Sequence, residues 1–215
     1  MSRGIRMGVL SIQGDVQENV VALSRALKAS PQAGIEDSVR AVRTPHDISK
    51  LDGLVIPGGE STTIGRLSLE GDMLDTIRSK IEGGMPVLGI CAGMIMLAKT
   101  ANDRVVGVTD QPLLGVLDVQ TERNSFGRQR HSFEAKLALK PLAITEFRGV
   151  FIRAPSISDV GPCVEVLSEL DYMDGQKKIV AVREGHIMGV AFHPELAGDT
   201  SIHKYFADGV RRLAR

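Results

Sequence analysis

The sequence predicts an α/β fold in three layers: a mostly parallel central sheet with helices on both faces, and additional antiparallel strands in the second half. Three observations carry that expectation. In the first half of the chain, short continuous apolar runs that stop at glycine alternate with stretches of helical periodicity. From about residue 105, strand-like runs follow one another without such stretches. The final segment, "TSIHKYFADGVRRLAR", has one apolar face at helical spacing.

Taken in order, "MGVLSI" (7–12) reads as a buried strand ending at Gln13-Gly14. Val16, Val20, Leu23 and Leu27 then define a helix, with Asp15 as its cap and Pro31 and Gly34 as its breakers. "SVRAV" (38–42) is a short strand, and "LDGLVIPGG" (51–59) a buried one that stops at Pro57-Gly58-Gly59. Ile64, Leu67, Met73, Leu74, Ile77 and Ile81 mark a helical stretch broken near Gly71. "MPVLGI" is the next strand and "AGMIMLAKTA" the next helix. The second half reads as strand, polar loop and strand, then further strands, with a hairpin turn at Glu184-Gly185. Neither a repeat nor a long linker interrupts 1–215, so a single domain is expected.

Composition excludes several classes. The 215 residues are 43% hydrophobic and 24% charged, as expected of a globular chain with a sizeable core. With 26 acidic and 26 basic residues the net charge is zero, which gives no electrostatic case for nucleic acid or an anionic membrane. Two tyrosines, six phenylalanines and no tryptophan also argue against stacking on nucleic acid. No window approaches the roughly 18 apolar residues of a membrane span, and the N-terminus is unlike a signal peptide. Cys91 and Cys163 are far apart and have no CxxC partner, so a disulfide framework or zinc site is not expected. The reading is a cytoplasmic protein.

Ligands in parallel sheets bind beyond the carboxyl ends of the strands, where Gln13-Gly14, Gly58-Gly59-Glu60 and Cys91 all fall. "GICAGM" (89–94) places Cys91 between small residues at a strand-to-helix turn. A nucleophile elbow needs those small neighbours, although a buried cysteine in a glycine turn fits the hexapeptide equally well. Of five histidines, His193 stands out: it ends the apolar run "IMGVAF" and precedes Pro194 and Glu195. In extended chain, residues two apart share a side, so Glu195 is positioned to orient the imidazole. The glycines of "PGGEST" (57–62) bring bare amides near a ligand; with the amide of Ala92 they would serve as oxyanion donors. Ser61 or Thr62 would cap the helix that follows.

With "LSIQGDVQENV", "VIPGGESTTIGRL", "GICAGMIMLAK", "ERNSFGRQ", "GVFIRAP" and "VAFHPEL" in order over nearly its whole length, the chain resembles the glutaminase subunits of pyridoxal 5′-phosphate synthases. These belong to the class I, triad-type glutamine amidotransferases, whose sheet is flavodoxin-like. The resemblance implies Cys91 as nucleophile, His193 as general acid/base and Glu195 as orienting carboxylate. It implies Gly59, Glu60, Ser61, Arg123, Ile152 and Arg153 at the L-glutamine site, with Gly59 also in the oxyanion hole, and Gln13 at the face toward a synthase subunit. One departure is Ile90, where many relatives carry threonine; it should point away from the chemistry. The segment from Lys28 to Asp47 is also longer than in compact relatives, which affects an edge loop.

The implied reaction is hydrolysis of L-glutamine to L-glutamate and ammonia through a glutamyl thioester, with no step that needs a metal or organic cofactor. The implied destination of the ammonia is a partner synthase using ribose 5-phosphate and glyceraldehyde 3-phosphate. Docking near Gln13 is expected to complete the oxyanion loop. The alternatives are a glutaminase serving another pathway, or a non-catalytic scaffold of the same fold; a cysteine peptidase has no specific support.

Overall fold

The computed structural model describes residues 3–31, 36–103, 107–126, 132–172 and 175–214. Gly34, the last three residues of "ERNSFGRQ" and His131 lie outside the described residues. The first half alternates strand and helix: β1 (Arg6–Leu10), α1 (Val16–Lys28), β2 (Ser38–Val42), α2 (Pro45–Ser49), β3 (Gly53–Ile56), α3 (Ser61–Leu67), α4 (Met73–Glu82), β4 (Val87–Ile90) and α5 (Ala92–Leu97). Strands then dominate: β5 (Ala98–Asp103), β6 (Gly107–Val108), β7 (Leu117–Arg123), β8 (Ser132–Leu139), β9 (Ile144–Ile152), β10 (Ser156–Val160), β11 (Glu165–Asp171), β12 (Lys177–Glu184) and β13 (Ile187–Val190). Helix α6 (Ser201–Leu213) follows.

The described strands form an eleven-stranded sheet in the order β2-β1-β3-β4-β13-β12-β10-β7-β5-β6, with β11 also on β12, and a two-stranded sheet of β8 and β9. From β2 to β13 every pairing is parallel. Beyond β13 the pairings are antiparallel, except for β5 on β7. The central parallel strands are the continuous apolar runs: every residue of β3, β4 and β13 is buried. That is the pattern of a sheet covered on both faces.

Two glycines show the covering. A side chain at Gly53 of β3 would strike Val210 of α6, and one at Gly89 of β4 would strike Gly93 and Leu97 of α5. Ile56 pairs with Gly89 and therefore shares its face, three residues from Gly53 along an alternating strand. Helices α5 and α6 thus lie on opposite sides of the sheet.

Several local expectations are corrected. The helix after Cys91 ends at Leu97, and Ala98 turns into β5 with ψ 154, because β5 is taken into the sheet beside β7. Helix α3 is capped by Glu60, whose side chain accepts from the Thr62 amide at 3.3 Å, not by Ser61 or Thr62. Asp15 sits at the cap position of α1 but makes no side-chain cap bond, since its carboxylate is turned elsewhere. The hairpin turn falls at Gly185-His186, because Glu184 still pairs with Ile187. The break near Gly71 is present, with φ 60 at Gly71 and 62 at Asp72. The segment between Lys28 and Asp47 leads into and out of the edge strand β2.

Candidate active site

Strands β1, β3, β4 and β13 are consecutive neighbours and parallel, so their carboxyl ends open onto one rim. Gln13, Gly58-Gly59, Cys91 and His193 follow those ends. Residues scattered over the sequence meet because the strand order brings them side by side.

Cys91 stands at the turn between β4 and α5 with φ 49 and ψ −102. A non-glycine residue held there costs of order 1–3 kcal/mol, so the surroundings must impose it. Its amide donates to the Val190 carbonyl at 2.7 Å, and its own carbonyl accepts from Ile95 at 3.2 Å. The flanking glycines permit the turn: any side chain at Gly93 would overlap the Ile56 carbonyl, and one at Gly89 would lie 2.6 Å from the Gly93 carbonyl oxygen. Ile90 is fully buried and does not line the cleft.

The His193 amide donates to Val150 of β9 at 2.8 Å, and its ring is buried. Nδ1 donates to Glu195 Oε1 at 2.7 Å, with Asp15 Oδ2 3.3 Å away on the same nitrogen. The chain between His193 and Glu195 is not extended, as Pro194–Leu196 form a 3-10 turn. The carboxylate reaches the ring from inside that turn, with its side chain 0% exposed. Burial pulls the imidazolium pKa down, but hydrogen bonds to Asp15, Cys91 and Glu195 outweigh it, and the value is pushed up to about 12. With Nδ1 turned to the two carboxylates, Nε2 is the nitrogen left to exchange a proton in the cavity that Cys91 and His193 both line. Asp15, His193 and Glu195 also bring potential ligand atoms within 4.8 Å of one another, but Nδ1 must keep its proton to donate to Glu195.

The Gly58-Gly59 loop is gripped from the β1 side. The Asp15 amide donates to Gly58 O at 3.1 Å, and Gln13 Oε1 accepts from the Glu60 amide at 2.8 Å. Gly59 has φ 156, and a side chain at Gly58 would overlap the His193 ring. Gly59 and Ala92 border a cavity of about 330 Å³ that also touches Cys91 and His193. Glu60, Ser61, Arg123, Ile152 and Arg153 line the same cavity. Arg123 places Nη2 on Glu60 Oε1 at 2.9 Å and Nη1 on Thr62 Oγ1 at 3.1 Å. Arg153, directly after β9, has φ 44, in the left-handed region.

Every candidate residue from the sequence but Glu195 and Gln13 therefore lines one cleft, and those two touch it through His193 and Glu60. Sequence reasoning missed Asn124, Ile95 and Pro155 on its wall, and the contact of Asp15 with His193. Asp15 was legible as an acid directly beyond a strand end; the other three carry no such signal. Cys163 is exposed and lies outside the cleft.

Sheet order, elbow and imidazole–thiol pair together define a protein of the glutamine amidotransferase class. A crystal structure of a glutamine amidotransferase superposes with a TM-score of 0.79 and 41% identity, over 95% of this chain and 98% of that one. The chain belongs to the SNO glutamine amidotransferase family, whose profile matches residues 9–212. The protein called pyridoxal 5′-phosphate synthase subunit PdxT in Nitrosopumilus maritimus is 52% identical over 96% of this chain and 97% of its own length. The protein of that name in Staphylothermus marinus is 46% identical over 96% and 98%.

Proposed function

We propose that the chain is a glutaminase that hydrolyses L-glutamine and hands the ammonia to a pyridoxal 5′-phosphate synthase partner. The observation that carries this reading is a cysteine at a strained elbow, sharing one cavity with an imidazole that Glu195 orients. The names of the relatives supply the pathway.

His193 takes the thiol proton as the Cys91 sulfur attacks the side-chain amide carbon of glutamine. The C–S bond forms as the carbonyl π pair moves onto oxygen, where the amides of Gly59 and Ala92 receive it, each worth ~3 kcal/mol. Nε2 of His193 gives its proton to the amide nitrogen, the C–N bond breaks, and ammonia leaves. Neutral His193 then takes a proton from water, whose oxygen adds to the thioester carbon; the sulfur departs with the bond pair and glutamate is released. Glu60, Ser61, Arg123, Ile152 and Arg153 hold the amino-acid end of the substrate.

Ammonia released into water would be protonated, so delivery calls for a docked partner. Gln13 and Gly14, which grip the Gly58–Glu60 loop, are assigned to that face. Docking there completes the oxyanion hole by acting on the Gly59 amide. The chain functions as one unit over 1–215, in the cytosol. Among the described residues no helix is long and apolar enough to cross a membrane. The test is the rate of glutamate release with and without a purified synthase subunit. A rise of at least tenfold on mixing is expected. No release under either condition refutes the glutaminase, and equal rates refute activation by docking.

A further inference from the structure

We propose that Gln111 is a positioning residue for substrate binding, acting through Ser61, Thr62 and Arg123. This rests on the reading of the cleft as a glutamine site. Gln111 comes from the segment between β6 and β7, far in sequence from the loop it touches. Its Oε1 accepts three hydrogen bonds: from Ser61 Oγ at 3.2 Å, Thr62 Oγ1 at 3.1 Å and Arg123 Nη1 at 3.2 Å. Thr62 Oγ1 in turn accepts from the same Arg123 nitrogen, which closes a ring of three side chains.

The ring joins two walls of the cleft. Ser61 and Thr62 start α3, and Arg123 ends β7. The other arginine nitrogen reaches Glu60, so Gln111 also sets how Glu60 faces the cavity. The backbone around Gln111 is itself held. Leu114 donates to Met96 of α5 at 2.7 Å, and Pro112 O lies so close to α3 that a side chain at Gly65 would come within 2.6 Å of it. A pinned backbone turns one amide oxygen into a fixed reference point for three donors.

The chemistry points to binding rather than turnover. Gln111 lines neither the sulfur nor the imidazole, and it is not on the cavity wall. Take away its acceptor and the buried Ser61 hydroxyl loses a partner, while Arg123 is free to leave Glu60 and Thr62. Gln111 Nε2 is buried without a partner among the described residues, so the oxygen is the atom in use.

The experiment measures steady-state glutamine hydrolysis in the complex with the synthase subunit, beside alkylation of Cys91 by iodoacetamide, which has no amino-acid end to be held. Gln111→Met keeps the length and removes the acceptor. It should raise KM about tenfold, leave kcat within about twofold and leave the alkylation rate unchanged. Gln111→Glu keeps an acceptor, discards the unpartnered donor and adds a negative charge that faces Arg123; it should return KM to within about threefold of the unsubstituted chain. Should Gln111→Met fail to fold, Gln111→Asn withdraws the oxygen and is read in the same way. An unchanged KM overturns the inference, as does a fall in kcat and alkylation together that Gln111→Glu does not rescue. An unsubstituted chain that hydrolyses no glutamine refutes the function itself, a result distinct from an active chain indifferent to residue 111.

Discussion

Glu195 is a buried carboxylate with one oxygen on His193 and the other, Oε2, without a partner among the described residues. Such a group is costly to bury, so its value lies in holding the ring and favouring the imidazolium. Glu195→Gln keeps the shape and removes the charge. We expect kcat to fall ~10²–10⁴-fold with KM nearly unchanged, while the melting temperature holds or rises. Steady-state kinetics beside a melting curve checks this; a normal kcat would remove Glu195 from the triad. Asp15 faces the same nitrogen from a side chain 41% exposed, so Asp15→Ala should cost kcat less than tenfold. Cys91 and His193 are legible in sequence because a strand end followed by small residues, or by Pro-Glu, is a local signal. Gln111 is not: its three partners lie 50, 49 and 12 residues away, and only the folded chain makes them neighbours.

At the scale of elements, the elbow depends on close contact between α5 and the sheet. A methyl at Gly93 would overlap the backbone carbonyl of Ile56, which cannot swing aside as a side chain would. Gly93→Ala should therefore cost ~1–3 kcal/mol, read as a lower urea midpoint at unchanged slope. Helix α6 packs on α1 through His203, whose Nε2 meets Asn19 Oδ1 at 3.1 Å in a fully buried site. Burial lowers its pKa to about 4 from 6.5. The unfolded chain then binds more protons between those values, so this contribution is present above pH 6.5 and is lost as pH falls toward 4. The loss is ~3 kcal/mol, to be measured as unfolding free energy at pH 7.5 and pH 4.5. His203→Gln should flatten the difference. The parallel strands and long amphipathic helices were readable from periodicity, since their pattern is local. The end of α5 at Leu97 was not, because Ala98 is drawn into pairing with Leu117 of β7, nineteen residues further on.

For the whole molecule, the crossing of strands matters more than any one motif. The parallel half of the sheet supplies the elbow and the Gly58-Gly59 loop, and β13 returns from the far half to lie beside β4. His193 and Cys91 meet because Val190 and Ile90 are paired. Gln13 and Asp15 tie that rim to the β1 side, where a partner would press. Gln13→Ala should reduce activation by the synthase subunit about tenfold while leaving iodoacetamide labelling of Cys91 intact; equal activation would move the docking face elsewhere. The central claim is that Cys91 attacks glutamine with help from His193. Its most direct test is the mass of the peptide bearing Cys91 after the complex meets a diazoketone analogue of glutamine. The account predicts a single adduct on Cys91, suppressed by excess glutamine and absent in His193→Asn. An adduct on another residue, or continued glutamine hydrolysis by Cys91→Ala, would contradict it.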